Sequence, residues 1–191
     1  MKKKVICIIV IIVCVLATGI GYKVWLSLTP GSEIPYAQEV TYLNDKVDFK
    51  LLLYGEEIVF PENLEYTTVD EISEKTVDNT ADYIYFVVND LNGSVDFSKE
   101  DFLFLKKYAD ENLNFNFYYI GTESLQMIQE NIENCNLNDG DMSFGYIVYE
   151  GERMIHYGMW STNDHQYLEM NETLLGENIC CEIQKIIKTN E

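Results

Sequence analysis

Proline is scarce, with three in 191 residues, and neither a low-complexity tract nor an internal repeat is present. With 47% apolar residues, this excludes a fibrous chain and a largely disordered one. Basic residues are also few. Thirteen Lys and Arg against 32 Asp and Glu give a formal net charge of -19, the wrong sign for holding nucleic acid by neutralising phosphates. The sequence contains no Cys-x-x-Cys pair or zinc-like Cys/His spacing, which removes a structural zinc site. It has neither a glycine-rich phosphate loop nor a dinucleotide fingerprint. The two histidines are His156, within a predicted strand, and His165, in a polar stretch after Ser161 and Thr162. No strained nucleophile turn accompanies them, so a hydrolytic triad has no support.

The amino terminus does carry a signal. The basic tip of residues 1–4 precedes an uncharged stretch from Val5 to Tyr22, about 27 Å long as a helix at ~1.5 Å per residue. The leading expectation is a signal-anchor, with residues 1–4 cytoplasmic, residues 5–22 spanning the cell membrane once and Tyr22, Lys23 and Trp25 at the outer interface. The competing expectation is a secreted protein whose signal peptide is cleaved near Ala17-Thr18-Gly19. Lipid attachment at Cys14 is disfavoured by Val13 before it and apolar residues after it. Residues 23–38, with Pro30, Gly31 and Pro35, read as a tether. Residues 39–191 read as one extracytoplasmic domain of a size that supports a single core. Every acid lies at or after Glu33, so this part is strongly acidic, which reads first as solubility and repulsion from other anionic surfaces and, as the alternative, as attraction of a basic partner or of divalent cations.

Within the domain, Val47, Phe49, Leu51 and Leu53 alternate with polar residues, and Gly55-Glu56 separates them from Ile58-Val59-Phe60. This predicts a strand, a turn and a second short strand. A short helix is expected over residues 69–78. Tyr83–Val88 is a continuous apolar run, the pattern of a central strand buried on both faces. Ser98, with Asp101 three residues on, predicts a capped helix bearing Phe102, Leu105 and Ala109 on one face. Phe115–Ile120 is a further strand. Thr122 is expected to cap a helix with Leu125, Ile128, Ile132 and Cys135 inward. Phe144–Tyr149 and Arg153–Trp160 flank a Gly-containing connection, as an antiparallel hairpin does. Asn171 then opens a helix with Leu175, Ile179, Ile183 and Ile187 as its stripe. The expected fold class is α/β, a small three-layer mixed sheet with a flavodoxin- or Rossmann-like βαβ core and an edge hairpin.

The order Asp82-Tyr83-Ile84, polar loop, Ser-Lys-Glu-Asp helix start and strand ending in Gly121 resembles the middle of glutamine-amidotransferase-like flavodoxin folds over about forty residues. The resemblance implies architecture. It does not carry that family's chemistry, because no cysteine stands in the strand-to-helix turn where those enzymes place their nucleophile.

Two groups of residues are candidate sites. The first is the loop Asp90–Asp101, leaving the carboxyl end of the central strand, where open α/β sheets bind ligands. Asp90, Asn92, Ser94, Asp96, Ser98 and Asp101 put oxygens at the spacing of a calcium loop, but Gly93 and Val95 stand at positions 4 and 6, where a calcium loop wants its turn glycine at 6. Asp90 and Ser94 also resemble part of the metal-binding Asp-x-Ser-x-Ser of von Willebrand factor A domains, with Asn92 departing from the middle serine. The alternative is a turn at Asn92-Gly93 with Asp90 bonded to local N–H groups and Ser98 capping the helix. The second group, Tyr146, Tyr149, Tyr157 and Trp160, would form an amphipathic partner-binding patch if the hairpin edge is exposed. Cys135, Cys180 and Cys181 allow one disulfide or buried thiols. The function expected is a membrane-anchored, non-catalytic domain that binds an envelope or extracellular protein and needs no cofactor. A cation or small-ligand sensor built on Asp90–Asp101 is the alternative.

Overall fold

The structure is a computed structural model describing residues 42–61, 64–77, 80–138, 140–157 and 172–191. The expected anchor and tether, together with Trp160, His165 and Asn171, lie outside the described residues. Among the described residues no helix is long and apolar enough to cross a membrane.

After helical residues 42–46 the chain enters β1 (Phe49–Gly55), then β2 (Thr67–Val69) and β3 (Tyr83–Asp90). Helix α1 (Lys99–Glu111), β4 (Phe115–Gly121), α2 (Leu125–Glu130), the hairpin β5 (Ser143–Tyr149) and β6 (Glu152–Tyr157), and α3 (Glu172–Asn190) follow. One six-stranded sheet has the order β2-β1-β3-β4-β5-β6. β1 lies parallel to β2 and β3, and β3 parallel to β4, while β5 and β6 are antiparallel additions. The apolar run at Tyr83–Val88 is an interior strand, as expected.

Strand alternation divides the core. On one face, Leu52, Ile84, Phe86, Val88, Phe115, Phe117, Tyr119 and Phe144 join Phe102, Leu105 and Ala109 of α1 and Leu125 and Ile128 of α2 in one apolar cluster. Phe102 meets Phe117 and Phe144 edge to face, at centroid distances of 6.0 and 6.2 Å. On the other face, Tyr85 and Tyr118 stack. Glu182 of α3 acts electrostatically on Tyr118, and Asn190 Nδ2 donates to the Val148 carbonyl at 2.8 Å. α3 buries Ile179, Ile183 and Ile187.

The expected cap of α1 is present in full. Asp101 N donates to Ser98 Oγ at 3.1 Å and Ser98 N donates to Asp101 Oδ2 at 3.0 Å, a reciprocal capping box. Ser98→Ala is expected to cost ~1 kcal/mol of unfolding free energy, read from the shift of a urea midpoint.

Three expectations are corrected. Ile58-Val59-Phe60 forms no strand. Ile58 and Phe60 are buried in an irregular segment, and the chain returns as β2 parallel to β1, so Gly55-Glu56 is not a hairpin turn. Residues 69–78 contain no helix among those described. Ser73 N donates to Thr76 Oγ1 at 2.9 Å while the Thr76 hydroxyl donates to Ser73 O at 2.8 Å, and such local bonds compete with helical ones. Helix α2 ends at Glu130, where Asn131 Nδ2 donates to Met127 O at 2.7 Å; Ile132 and Cys135 are buried beyond it. Thr122 is not its N-cap residue. Ser124 holds that place without a side-chain cap bond.

Candidate functional site

The parallel strands end together, at Gly55, Asp90 and Gly121, and the order β2-β1-β3-β4 reverses direction between β1 and β3. The crevice beyond such a reversal is where open α/β sheets take ligands. Here the chain fills it. Gly55 has φ +101°, and a Cβ there would lie 2.4 Å from the Asn89 carbonyl oxygen; Gly121, at φ +139°, would come 2.3 Å from that of Asp90. Glycine at both positions lets the flanking strands close on the end of β3.

Glu56 fastens the closure. Its carboxylate accepts Asn92 N at 3.1 and 3.2 Å, Asn92 Nδ2 at 2.6 Å and Ser94 Oγ at 2.6 Å. Glu56 N donates to Asn89 O at 2.8 Å, and Asn89 Nδ2 donates back to Glu56 O at 3.2 Å. The loop after β3 is thus drawn over the end of β1. Glu56→Ala is expected to speed hydrogen exchange of the Asn92 amide at least tenfold while costing only ~1 kcal/mol globally, because the bonds are solvent-exposed. Unchanged exchange would mean that Glu56 does not hold the loop.

Asp90 anchors the same loop from beneath. It is 1% exposed, with Oδ1 accepting Val95 N at 2.9 Å and Oδ2 accepting the Tyr119 hydroxyl at 2.7 Å. The Tyr119 oxygen in turn accepts Ser124 N at 3.1 Å, taking the place of a side-chain cap at α2. Burial, reinforced by the bond to Asp90 and opposed by the Ser124 N–H, holds the Tyr119 hydroxyl above its ordinary pKa, so it remains a proton donor to the carboxylate.

The six expected ligand oxygens are therefore distributed among separate tasks. Asp90 binds Val95 and Tyr119, Asn92 and Ser94 bind Glu56, and Ser98 and Asp101 bind each other. At Asp96 the backbone carbonyl accepts the Tyr54 hydroxyl at 3.3 Å. Among the described residues no three His, Cys, Asp or Glu side chains are grouped so as to hold a metal ion. An open cleft of about 420 Å³ remains beside the loop, lined by Tyr54, Glu56, Asp70, Ser94 and Asp96 among others. Cys135, Cys180 and Cys181 form no disulfide.

Two of the hairpin's aromatic residues, Tyr146 and Tyr149, are also separated. Tyr146 stands opposite Ile155 and packs on the α1 face, whereas Tyr149, opposite Glu152, alternates to the other face and is 37% exposed. Tyr157 pairs with Phe144, and Trp160 lies outside the described residues. Tyr146 donates its hydroxyl to Asp110 Oδ1 at 2.6 Å, and its ring is approached by Lys106 at 5.6 Å and Arg153 at 5.2 Å. Burial and the Asp110 bond push its pKa up to about 12.

Sequence reasoning passed over Arg153, the only arginine of the chain. Its Nη1 donates to Phe115 O at 2.8 Å and Tyr146 O at 3.4 Å, and its Nη2 to Asn112 O at 3.0 Å and to Ala109 O. One side chain from β6 thus binds the end of α1, the start of β4 and the middle of β5. Between Lys106, Tyr146, Arg153, Ile155 and the segment Asn131–Asn134 lies a cleft of about 610 Å³.

No family model matches the chain, and no curated protein or solved structure matches it.

Proposed function

We propose that this chain is a membrane-anchored extracytoplasmic domain that binds another envelope or extracellular protein and has no catalytic activity of its own. Residues 5–22 would supply the anchor, and a small three-layer, flavodoxin- or Rossmann-like core with a terminal hairpin the scaffold. The observation that carries the reading is the closure of the crevice between β1 and β3. Asn92 and Ser94 both donate to the Glu56 carboxylate there, and the buried Asp90 carboxylate is committed to Val95 and Tyr119. These polar groups stabilise the loops, and the acidic outer surface is left as the feature available for recognition. Its charge favours a basic partner through long-range attraction.

The test is crosslinking of the full-length protein in its native membrane, followed by affinity capture and mass spectrometry against a control lacking residues 39–191. Reproducible capture of the same basic protein is expected. Capture of nothing above the control, with the domain folded and exposed, would contradict the reading. Calorimetric titration with calcium, magnesium and manganese separates it from the sensor alternative, since micromolar binding abolished by Asp90→Ala would favour the sensor.

A further inference from the structure

Strand β6 ends the sheet, and among the described residues no strand pairs with its outer edge. The hairpin geometry assigns what that edge presents. Glu150 and Gly151, with φ of 52° and 79°, form a two-residue turn of the type in which both central residues have positive φ. The flanking pair Tyr149 and Glu152 then exchanges both backbone bonds, and so does every second pair beyond it. Met154 and His156 spend their backbone groups on β5. Arg153 and Ile155 turn theirs outward.

The same strand borders the 610 Å³ cleft, whose walls are Lys106 of α1 and the segment Asn131–Asn134 and whose apolar surface comes from Ile132, Tyr146 and Ile155. An edge with outward backbone donors and acceptors beside a cleft for alternate side chains is the arrangement by which a sheet accepts an added strand. On the basis of the protein-binding reading above, we propose that β6 is the docking surface and that its occupant is an extended segment of the partner with alternating apolar and basic residues. Apolar side chains enter the cleft, where Lys106 and Arg153 repel basic ones. Basic side chains fall on the other face of β6, beside Glu152 and the 42%-exposed Met154. The net charge of -19 draws such a segment in.

The test uses the full-length protein in phosphatidylcholine nanodiscs, with empty nanodiscs subtracted, and a fluorescein-labelled ten-residue peptide alternating Lys and Leu. A Glu/Leu peptide of the same pattern serves as control. The Lys/Leu peptide is expected to bind, to slow hydrogen exchange at Arg153 and Ile155, and to exceed the Glu/Leu peptide at least tenfold in affinity. Ile155→Pro, which removes an outward N–H at an edge position that tolerates proline, is expected to weaken binding at least tenfold. Glu133→Lys, which sets a cation on the exposed wall of the cleft without touching the strand or the core, is expected to do the same, so the proposal remains testable if the proline variant fails to fold. Equal binding by wild type and Glu133→Lys would overturn it. So would slowed exchange at another element, or an Arg153–Ile155 edge already protected without peptide by a second copy or by the chain itself. Partner capture that succeeds while these results fail would leave the binding reading intact and this surface wrong.

Discussion

Arg153→Ala is expected to lower the free energy of unfolding by about 3 kcal/mol, since charged donors contribute ~1.5–3 kcal/mol each and partial rehydration of the freed carbonyls offsets part of the loss. The reason begins in α1. Its last turn contains no basic residue, although carbonyls at a helix end are unsatisfied and carry partial negative charge. Arg153, 38 to 44 residues away from Phe115, Asn112 and Ala109, supplies both the donors and the charge. Lysine has a point charge in place of a planar fork and cannot reach carbonyls on both sides, so Arg153→Lys should recover less than half of the loss. Urea unfolding with an unchanged m-value reads both variants. A loss below 0.5 kcal/mol for Arg153→Ala would show that water replaces the guanidinium at no cost.

Asp90→Ala is expected to cost a similar ~3 kcal/mol, for a different reason. The substitution leaves the buried Tyr119 hydroxyl and the Val95 N–H without their acceptor, and each orphaned group costs ~1–3 kcal/mol. Tyr119→Phe should cost ~1–2 kcal/mol, and the double variant less than the sum of the singles, because the two groups share one bond. A coupling of at least 0.5 kcal/mol in that cycle supports the buried pair. Strict additivity would contradict it.

The contrast between these two residues explains what the sequence made legible. The βαβ core could be read because its signals are local: the unbroken apolar run of β3, the capping box at Ser98 and the 3.6-residue spacing of Phe102, Leu105 and Ala109. The hairpin was legible for the same reason, through Glu150-Gly151. The return from β1 to β2 was not, because Ile58 and Phe60 are buried without forming a strand and so carry a strand's composition without its geometry. The premature end of α2 was hidden likewise, since Ile132 and Cys135 keep the helical spacing of buried residues after the helix has stopped.

The site was legible only as a location. The loop at the carboxyl end of the central strand could be found from the position of Asp90, and local backbone bonding by Asp90 and capping by Ser98 were among the readings it allowed. Glu56, 36 residues before Asn92, gave no signal, because neither its neighbours nor its spacing marks a bond that exists only once β1 lies beside β3. Arg153 was similarly silent. A single arginine in an acidic chain looks like a surface residue until the fold places four carbonyls around it.

A partner strand on β6 means that recognition runs over the outside of the sheet and not through the crevice between β1 and β3. Partner capture from native membranes, repeated side by side with Glu56→Ala and Glu133→Lys at matched expression, separates the two surfaces. Glu56→Ala, which loosens the crevice loop, is expected to retain the partner within twofold, while Glu133→Lys loses at least tenfold. Loss with Glu56→Ala and retention with Glu133→Lys would place the function in the crevice and rule out β6 as the docking surface.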